Sequence, residues 1–394
     1  MEKQSVLCQN GPISTSPARL MSTTDSKTTY WDYLEIEKLL SLQDGIPDGE
    51  EPSADELHFI IVHQVFELWF KLVLRELRLA RDAVSAEMVP EEQIPLVVRH
   101  LQRVSKIFEH TMSQWAVMET LTPQDFLAFR DKLVPASGFQ SFQMRELEIL
   151  MGLDPVQREA SGFGDPVRVI RDLAEASPGG DLAKESVRKA MEERSLLEAL
   201  NEWLLRTPIQ GSSPGEVGDL EVVERFIADY LAAQGAHIEN QARIYGTQGT
   251  VSESVAAGKL QKTLRETEEF LRAEDVPEAT RIERSRLRCA ILFIESYREL
   301  PLLAWPRTLL DVVVDLEELL ILFRTRHVRM VERIIGRRMG TGGSAGVDYL
   351  EETLKYRIFT DLWTVRTIML PRTALPELEN ADYYAFRVRG DSKV

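Results

Sequence analysis

The chain has 394 residues, of which 44% are hydrophobic and 28% are charged, a composition typical of soluble globular proteins. Its net charge of −16 repels the phosphates of nucleic acids and anionic lipids, so we predict no nucleic-acid partner. The two cysteines, Cys8 and Cys289, are too few for a disulfide framework or a cysteine-rich zinc site, and they favour a reducing, cytoplasmic location.

The N-terminal 27 residues are polar and contain no apolar stretch like that of a signal peptide, so we predict a disordered tail over 1–27. The most apolar segment, 59–74, is interrupted by polar residues such as His63 and Glu67. A membrane span needs about 20 mostly apolar residues in a row. We therefore expect no membrane partner.

Apolar residues recur with the helical period of 3.6, and alternation of the kind found in strands is hard to find, which predicts an all-α helical bundle. A capping-box pattern from Ser53 to Glu56 marks the start of the first long helix. A loop over 206–219 and charged amphipathic helices after it indicate an inserted lobe over about 206–300. We predict one domain over 28–372 and a C-terminal tail over 373–394. The predicted helices span 33–42, 53–88, 92–118, 123–133, 138–151, 181–205, 220–234, 253–273, 277–299, 308–336 and 347–370.

Two histidines lie on apolar helical faces. His63 shares a face with Phe59 and Phe66, which is typical either of a core histidine bonded to the backbone or to Glu67, or of an imidazole in an aromatic binding pocket. His327 follows Phe323 on an apolar stripe flanked by arginines. That pattern suits an axial haem ligand whose neighbouring cations pair with the haem propionates, although a lone helical histidine is more often structural.

Other metal and nucleotide sites fit the sequence less well. A dinuclear carboxylate site needs a Glu-x-x-His pair from each of two helices, whereas the nearest pattern here, Asp55 with His58, occurs once. The glycine-rich loop 340–346 lacks the lysine of a phosphate-binding Walker loop. Its backbone N–H groups and the hydroxyls of Thr341 and Ser344 suit a small zwitterion, unless the loop is only a flexible linker.

Arg130 lies beside aromatic residues and ahead of a Ser-Gly turn, Ser137 and Gly138. An arginine in such a place can bind a carboxylate with two hydrogen bonds, although most arginines are simply exposed. Taken together and in this order, the motifs resemble those of the haem-dependent tryptophan 2,3-dioxygenases. The chain length, the inserted lobe and the final motif, Leu370 to Arg372, are similar to those of the longer, animal-type members of the family. The motifs that carry the resemblance are Thr29 to Leu34, Asp55 to Gln64, Glu67 to Lys71, Phe129 to Asp131, Pro135 to Ser141, His327, and Gly340 to Ser344.

The resemblance implies a role for each matching residue. His327 matches the proximal ligand of the haem iron, and His63 matches the distal histidine that faces the indole N–H of the substrate. Arg130 matches the residue that holds the substrate carboxylate. Thr341 matches a contact of the substrate ammonium and carboxylate groups.

Further matches complete the implied site. Phe59 and Phe126 match the walls around the indole ring, and the turn at Ser137 and Gly138 matches the distal lining of the haem. Tyr30 and Tyr33 match an N-terminal segment that reaches into the neighbouring subunit of a homotetramer. The resemblance thus implies a cytoplasmic enzyme with haem b, dioxygen and L-tryptophan, whose product is N-formylkynurenine, the first step of tryptophan degradation through kynurenine.

Departures from the family pattern leave two alternatives open. Thr325 and Phe323 stand where relatives commonly carry aromatic residues that include a tryptophan, His58 replaces an apolar residue, and Ala345 replaces a frequent serine. One alternative is a haem monooxygenase or dioxygenase acting on a substituted tryptophan in secondary metabolism. The other is a sensor that binds haem or tryptophan without turnover.

Overall fold

The computed structural model describes residues 28–45, 49–159, 165–176, 180–247, 253–342 and 345–386. The predicted tail over 1–27 and residues 387–394 lie outside them. Within this part of the chain the all-α prediction is confirmed, because no strand forms and an isolated bridge joins Ile209 to Ser212. Seventeen α-helices are described: α1 Tyr30–Tyr33, α2 Ile36–Leu40, α3 Ala54–Val84, α4 Ile94–Met118, α5 Pro123–Arg130, α6 Phe142–Met151, α7 Pro155–Glu159, α8 Pro166–Ala176, α9 Asp181–Glu192, α10 Leu196–Leu205, α11 Asp219–Thr247, α12 Glu253–Leu271, α13 Glu278–Ser296, α14 Ala304–Ile335, α15 Val347–Thr353, α16 Thr360–Ile368 and α17 Ala381–Tyr384.

The chain divides into two compact units, 1–51 and 52–394. In the first unit, the helix predicted over 33–42 is interrupted at Glu35, whose φ of 50° is left-handed and cannot continue a helix. Helix α1 begins at a capping box. The Thr29 hydroxyl accepts a hydrogen bond from the backbone N–H of Asp32, and the Asp32 carboxylate accepts one from the backbone N–H of Thr29. The side chains of α1 and α2 are exposed or half-buried.

The second unit is built on three long helices, with α4 packed against both α3 and α14. Ser53 caps α3 by accepting a hydrogen bond from the backbone N–H of Glu56, as the sequence predicts. Phe323 of α14 makes edge-to-face contacts with Phe66 and Phe70 of α3 and with Phe108 of α4. The ring centroids are 5.5–6.1 Å apart. Each ring removed from water stabilises the fold by about 1.5–3 kcal/mol.

Local capping explains where two predicted helices are divided. The segment 181–205 forms α9 and α10, because Ser195 and Glu198 make a capping box that starts a new helix. The segment 347–370 forms α15 and α16. Between them, the buried carboxylate of Glu317 accepts hydrogen bonds from the backbone N–H groups of Ile358 and Phe359, which hold the chain out of helical geometry.

The C-terminal half of the chain shares the main hydrophobic core. Phe226 and Tyr230 of α11 and Phe293 of α13 belong to it, so the helices of the predicted inserted lobe are packed on the bundle. The segment 373–386, predicted as part of a tail, is also packed. Tyr384 is buried, donates a hydrogen bond to the Pro208 carbonyl oxygen at 2.7 Å and accepts one from the Gly211 N–H at 2.9 Å.

Helix α3 is apolar on two faces. Its buried face packs in the core, and a second stripe, Leu57, Ile61, Leu68 and Leu72, is exposed. Among the described residues α3 is the one helix that is long and apolar enough to cross a membrane. The core helices of soluble proteins pass the same test of length and composition, so this is weak evidence for a membrane span.

Candidate active site

His63 lies in an aromatic wall formed by α3 and α5. Its ring centroid is 4.0 Å from that of Phe59, which in turn contacts Phe126 and Phe129 with centroids 5.7 Å away. The Nδ1 atom is 2.8 Å from the Phe59 carbonyl oxygen. Since a carbonyl only accepts, Nδ1 carries the hydrogen and Nε2 is left as the acceptor.

The environment keeps His63 neutral. Burial lowers the pKa of His63, the hydrogen bond to Phe59 opposes that shift, and the charge of His58 adds to it. The ring is half-buried. A neutral, fixed imidazole with an available Nε2 can accept a hydrogen bond from an N–H group of a ligand.

His327 lies on α14 against an aromatic face from α4. The Trp115 ring stacks on the imidazole with a centroid distance of 4.8 Å and an interplanar angle of 8°. Burial, with smaller contributions from His63 and Arg145, lowers the pKa of His327 to about 4. The imidazole is therefore unprotonated at neutral pH, which is the form that binds a metal ion. Trp115 also stacks on Phe66, which lies three residues after His63 on α3, so both imidazoles lie where α3, α4 and α14 meet.

Arg130, the turn after α5 and the glycine-rich loop come together. Arg130 ends α5, and its Nη2 donates to the Met339 carbonyl oxygen at 2.5 Å. The Thr341 hydroxyl donates to the Ala136 carbonyl oxygen at 2.5 Å. A Cβ atom at Gly342 would lie 2.7 Å from the Cβ of Ser137, so the loop reaches the turn only with glycine there.

The turn itself leads directly into α6. Ser137 accepts a hydrogen bond from the Phe139 N–H at 3.3 Å, and open space surrounds the position of a Cβ at Gly138. Ser141 caps α6 by accepting from the Met144 N–H. The turn predicted to line the site is thus held between α5, α6 and the glycine-rich loop.

Comparison with known proteins decides the family. A family model described as tryptophan 2,3-dioxygenase matches residues 16–369, most of the chain.

The chain belongs to the tryptophan 2,3-dioxygenase family.

Relatives in this family match over nearly their whole length. A tryptophan 2,3-dioxygenase of Sorangium cellulosum is 44% identical over 380 residues, which cover 95% of this chain and 91% of the relative. A tryptophan 2,3-dioxygenase 2 of Ralstonia nicotianae is 46% identical over 374 residues, 91% of this chain and 97% of the relative. A tryptophan 2,3-dioxygenase-like protein of Xanthomonas campestris pv. campestris is 42% identical over 281 residues, 68% of this chain and 99% of the relative. The first two relatives therefore match this chain over nearly its whole length, and the third matches about two thirds of it.

Three residues of the predicted site lie in the first unit or outside the described residues. Tyr30 and Tyr33 belong to the first unit, where their side chains are 72% and 79% exposed. Ser344 of the glycine-rich loop lies outside the described residues. The roles of all three stay predictions.

Sequence reasoning missed three residues of the candidate site. Phe129 closes the wall behind Phe59, and its apolar character beside Arg130 was the available signal. Trp115 stacks on His327 from another helix, which no spacing on α14 predicts. Arg145 is buried and acts on the pKa of His327. A helical arginine is usually exposed, so the sequence carried no signal for it.

Proposed function

We propose that this chain cleaves the C2=C3 bond of the indole ring of L-tryptophan with dioxygen and forms N-formylkynurenine, the first step of tryptophan degradation through kynurenine. The observation that carries the proposal is the pair of neutral imidazoles, His63 and His327, with Arg130 directly after Phe129 of the aromatic wall around His63 and Thr341 in the loop that follows its contact Met339. Membership of the tryptophan 2,3-dioxygenase family supports it.

Haem b fits the residues present. The described residues contain no group of three or more His, Cys, Asp or Glu side chains placed to hold a metal ion. A single unprotonated imidazole with aromatic neighbours is instead the donor set of a haem iron, and His327 supplies it. Bound ferrous haem would supply the activation of dioxygen, which no side chain of the site provides. Ser137 and Gly138 would line its distal side.

The side chains bind and orient the substrate. Arg130 binds the carboxylate, and Thr341 contacts the carboxylate and the ammonium group, in place of the backbone carbonyls that they contact in this structure. Phe59 and Phe126 exclude water around the indole ring. His63 accepts the indole N–H at Nε2, so it orients the ring and is not required as a base. Fixed orientation of this kind lowers the barrier by removing the entropy of alignment.

The decisive experiment follows labelled oxygen into the product. Haem-loaded, reduced protein is mixed with L-tryptophan and ¹⁸O₂, and the product mass is measured. Two labelled atoms are expected. One labelled atom would favour a monooxygenase. Absence of product with a tryptophan-dependent change in the haem spectrum would leave either a substituted tryptophan as the substrate or a sensor without turnover.

The assignment of the axial ligand is tested by substitution. His327→Ala is expected to purify with little haem and no activity, whereas His237→Ala, on helix α11, is expected to keep both. An His327→Ala protein with a full complement of haem would refute the assignment.

The assembly that we propose is a cytoplasmic homotetramer in which Tyr30 and Tyr33 complete the neighbouring subunit's site. The exposed stripe on α3 supports an interface, because Leu57, Ile61, Leu68 and Leu72 recur at helical spacing on one face. An exposed apolar stripe of this length favours burial against another surface.

Leu68→Glu tests the interface, with Met88→Glu as the matched control at another exposed apolar position. Light scattering is expected to give a smaller assembly for Leu68→Glu and a tetramer for Met88→Glu. Co-expressing Tyr33→Ala with Arg130→Ala tests the shared site. Mixed tetramers are expected to be more active than either variant alone, and absence of complementation would contradict the shared site.

A further inference from the structure

A buried cluster of charges joins α6, α14 and α15. Arg145 and Glu148 of α6 form an ion pair at 3.0 Å, and Arg324 of α14 pairs with the other oxygen of Glu148 at 2.9 Å. Arg145 also donates to the Tyr349 hydroxyl oxygen at 3.1 Å. Arg324 donates to the Thr353 carbonyl oxygen at 2.8 Å. The two guanidinium groups therefore share one carboxylate.

The cluster carries an excess positive charge. Glu148 is the one carboxylate within ion-pair distance of either arginine among the described residues. Burial raises the pKa of Tyr349, so this phenol stays neutral and does not balance the second cation. Arg145 and Arg324 are 7% and 6% exposed. An unbalanced cation at such depth carries a desolvation cost, which an anionic partner would offset.

Arg145 also has an unsatisfied donor. Its Nε–H is buried and has no hydrogen-bond partner in the part of the chain that the structure describes. Arg324, by contrast, uses both terminal nitrogens, and its guanidinium lies 4.8 Å above the Tyr356 ring. Buried donors are nearly always paired, and Oε2 of Glu148, 3.0 Å from Nη1 of Arg145, also makes no hydrogen bond, so Arg145 is only partly satisfied within the cluster.

The position of Arg145 points to the candidate active site. It shares Glu148 with Arg324, which lies three residues before the proposed axial ligand His327 on α14. It lies on the helix that follows the turn at Ser137 and Gly138, and Phe139 of that turn packs against Tyr349 with ring centroids 5.1 Å apart. The excess charge thus borders the site where His327 would hold the haem.

We propose that Arg145 binds a propionate carboxylate of the haem. The inference rests on the proposed haem site and adds to it the residue that recognises the acidic edge of the porphyrin. A carboxylate at Arg145 balances the second guanidinium and satisfies the Nε–H donor, and the planar arginine fork suits both tasks. The carboxylate of the substrate has the same chemistry, so the experiment separates the two sources.

The test compares haem b with its dimethyl ester, which lacks both carboxylates. The protein is loaded with each porphyrin, and the rate of release to excess apomyoglobin is measured. Wild type is expected to release the ester at least about tenfold faster than haem, as expected from the loss of one charge-assisted contact. Arg145→Gln is expected to release haem about tenfold faster than wild type and the ester at an unchanged rate. Arg188→Gln, an exposed arginine on α9, is the control and is expected to match wild type.

Each other outcome has a defined meaning. The role of Arg145 would be overturned if Arg145→Gln released haem and the ester faster by the same factor. It would also be overturned if the wild type released both porphyrins at the same rate. An unchanged haem release with a raised tryptophan KM would assign Arg145 to the substrate carboxylate and overturn the proposal. Failure of the wild type to take up either porphyrin would refute the haem site itself.

A second variant guards against misfolding. Should Arg145→Gln not fold, Arg145→Lys keeps the charge and loses the planar fork. For this variant, the release rate of the ester divided by that of haem is expected to lie between one and the wild-type value. A ratio equal to that of wild type would overturn the proposal that the arginine fork binds the carboxylate.

Discussion

The indole of Trp115 and the imidazole of His327 lie parallel, 4.8 Å apart at an interplanar angle of 8°. Trp115 also stacks on Phe66, with ring centroids 4.2 Å apart, so three rings from α3, α4 and α14 form one column. The described residues give His327 no hydrogen bond. The orientation of its imidazole therefore depends on ring packing, and Trp115 supplies the flat surface.

Removing Trp115 is expected to loosen this column. Trp115 is 4% exposed, and truncating a buried tryptophan to alanine typically lowers the free energy of unfolding by about 3–5 kcal/mol. Urea unfolding of Trp115→Ala is expected to show a loss of that size, and Trp115→Phe, which keeps a ring, a smaller one. Equal losses in the two variants would mean that ring packing is not what Trp115 contributes.

His63 is expected to act through one hydrogen bond to the substrate. Such a bond contributes about 0.5–1.5 kcal/mol, so His63→Ala is expected to lower kcat/KM roughly 2- to 10-fold while haem is retained. A general base would instead contribute about 10²–10⁴-fold. With 1-methyltryptophan, which lacks the indole N–H, the same substitution is expected to have little effect. An equal loss with both substrates would contradict the hydrogen bond.

The pH profile tests the protonation state of His63. Only the neutral ring offers Nε2 as an acceptor, and burial lowers its pKa below the ordinary value of 6.5. The kcat/KM for tryptophan is therefore expected to stay constant as the pH falls to 6.5 and to decrease below it, as the ring gains a proton. His58 contributes to the lowered pKa, so His58→Gln is expected to move the decrease to higher pH. A decrease that persists unchanged in His63→Ala would assign it to another group.

The sequence predicts elements whose cause is local and misses those whose cause is distant. Ser53 and Glu56 lie three residues apart, and the start of α3 follows from them. The break between α15 and α16 depends on Glu317, about 40 residues earlier, and no local pattern reveals it.

The candidate site divides in the same way. Phe59 and His63 stack because they are one helical turn apart, whereas Trp115 and Arg145 reach the site from α4 and α6 only after the bundle has formed.

Arg130 is expected to determine affinity for the substrate carboxylate. A charge-assisted hydrogen bond contributes about 1.5–3 kcal/mol, so Arg130→Ala is expected to raise the tryptophan KM roughly 10- to 150-fold with haem retained. Arg130→Lys keeps the charge but loses the planar guanidinium, so its tryptophan KM is expected to lie between those of wild type and Arg130→Ala. Binding of tryptamine, which has no carboxylate, is expected to be unaffected. A KM that stays at the wild-type value would point to a different carboxylate partner.

Glu317 is expected to contribute more to stability than any surface carboxylate, since it lies 2% exposed with three N–H donors around it. It accepts from the Ile358 backbone N–H at 2.5 Å, from the Phe359 backbone N–H at 3.2 Å and from the Trp363 indole N–H. Alanine at this position would leave two buried backbone donors and the half-buried indole N–H without an acceptor, each costing about 1–3 kcal/mol.

The matched control for Glu317→Ala is Glu318→Ala, since Glu318 is the next residue on α14 and is exposed. Urea unfolding is expected to show a loss of at least about 3 kcal/mol for Glu317→Ala and less than about 0.5 kcal/mol for Glu318→Ala. Glu317→Gln keeps one acceptor oxygen and is expected to lie between them. Were Glu317→Ala as stable as Glu318→Ala, water would have to satisfy all three donors, and the turn before α16 would not depend on this carboxylate.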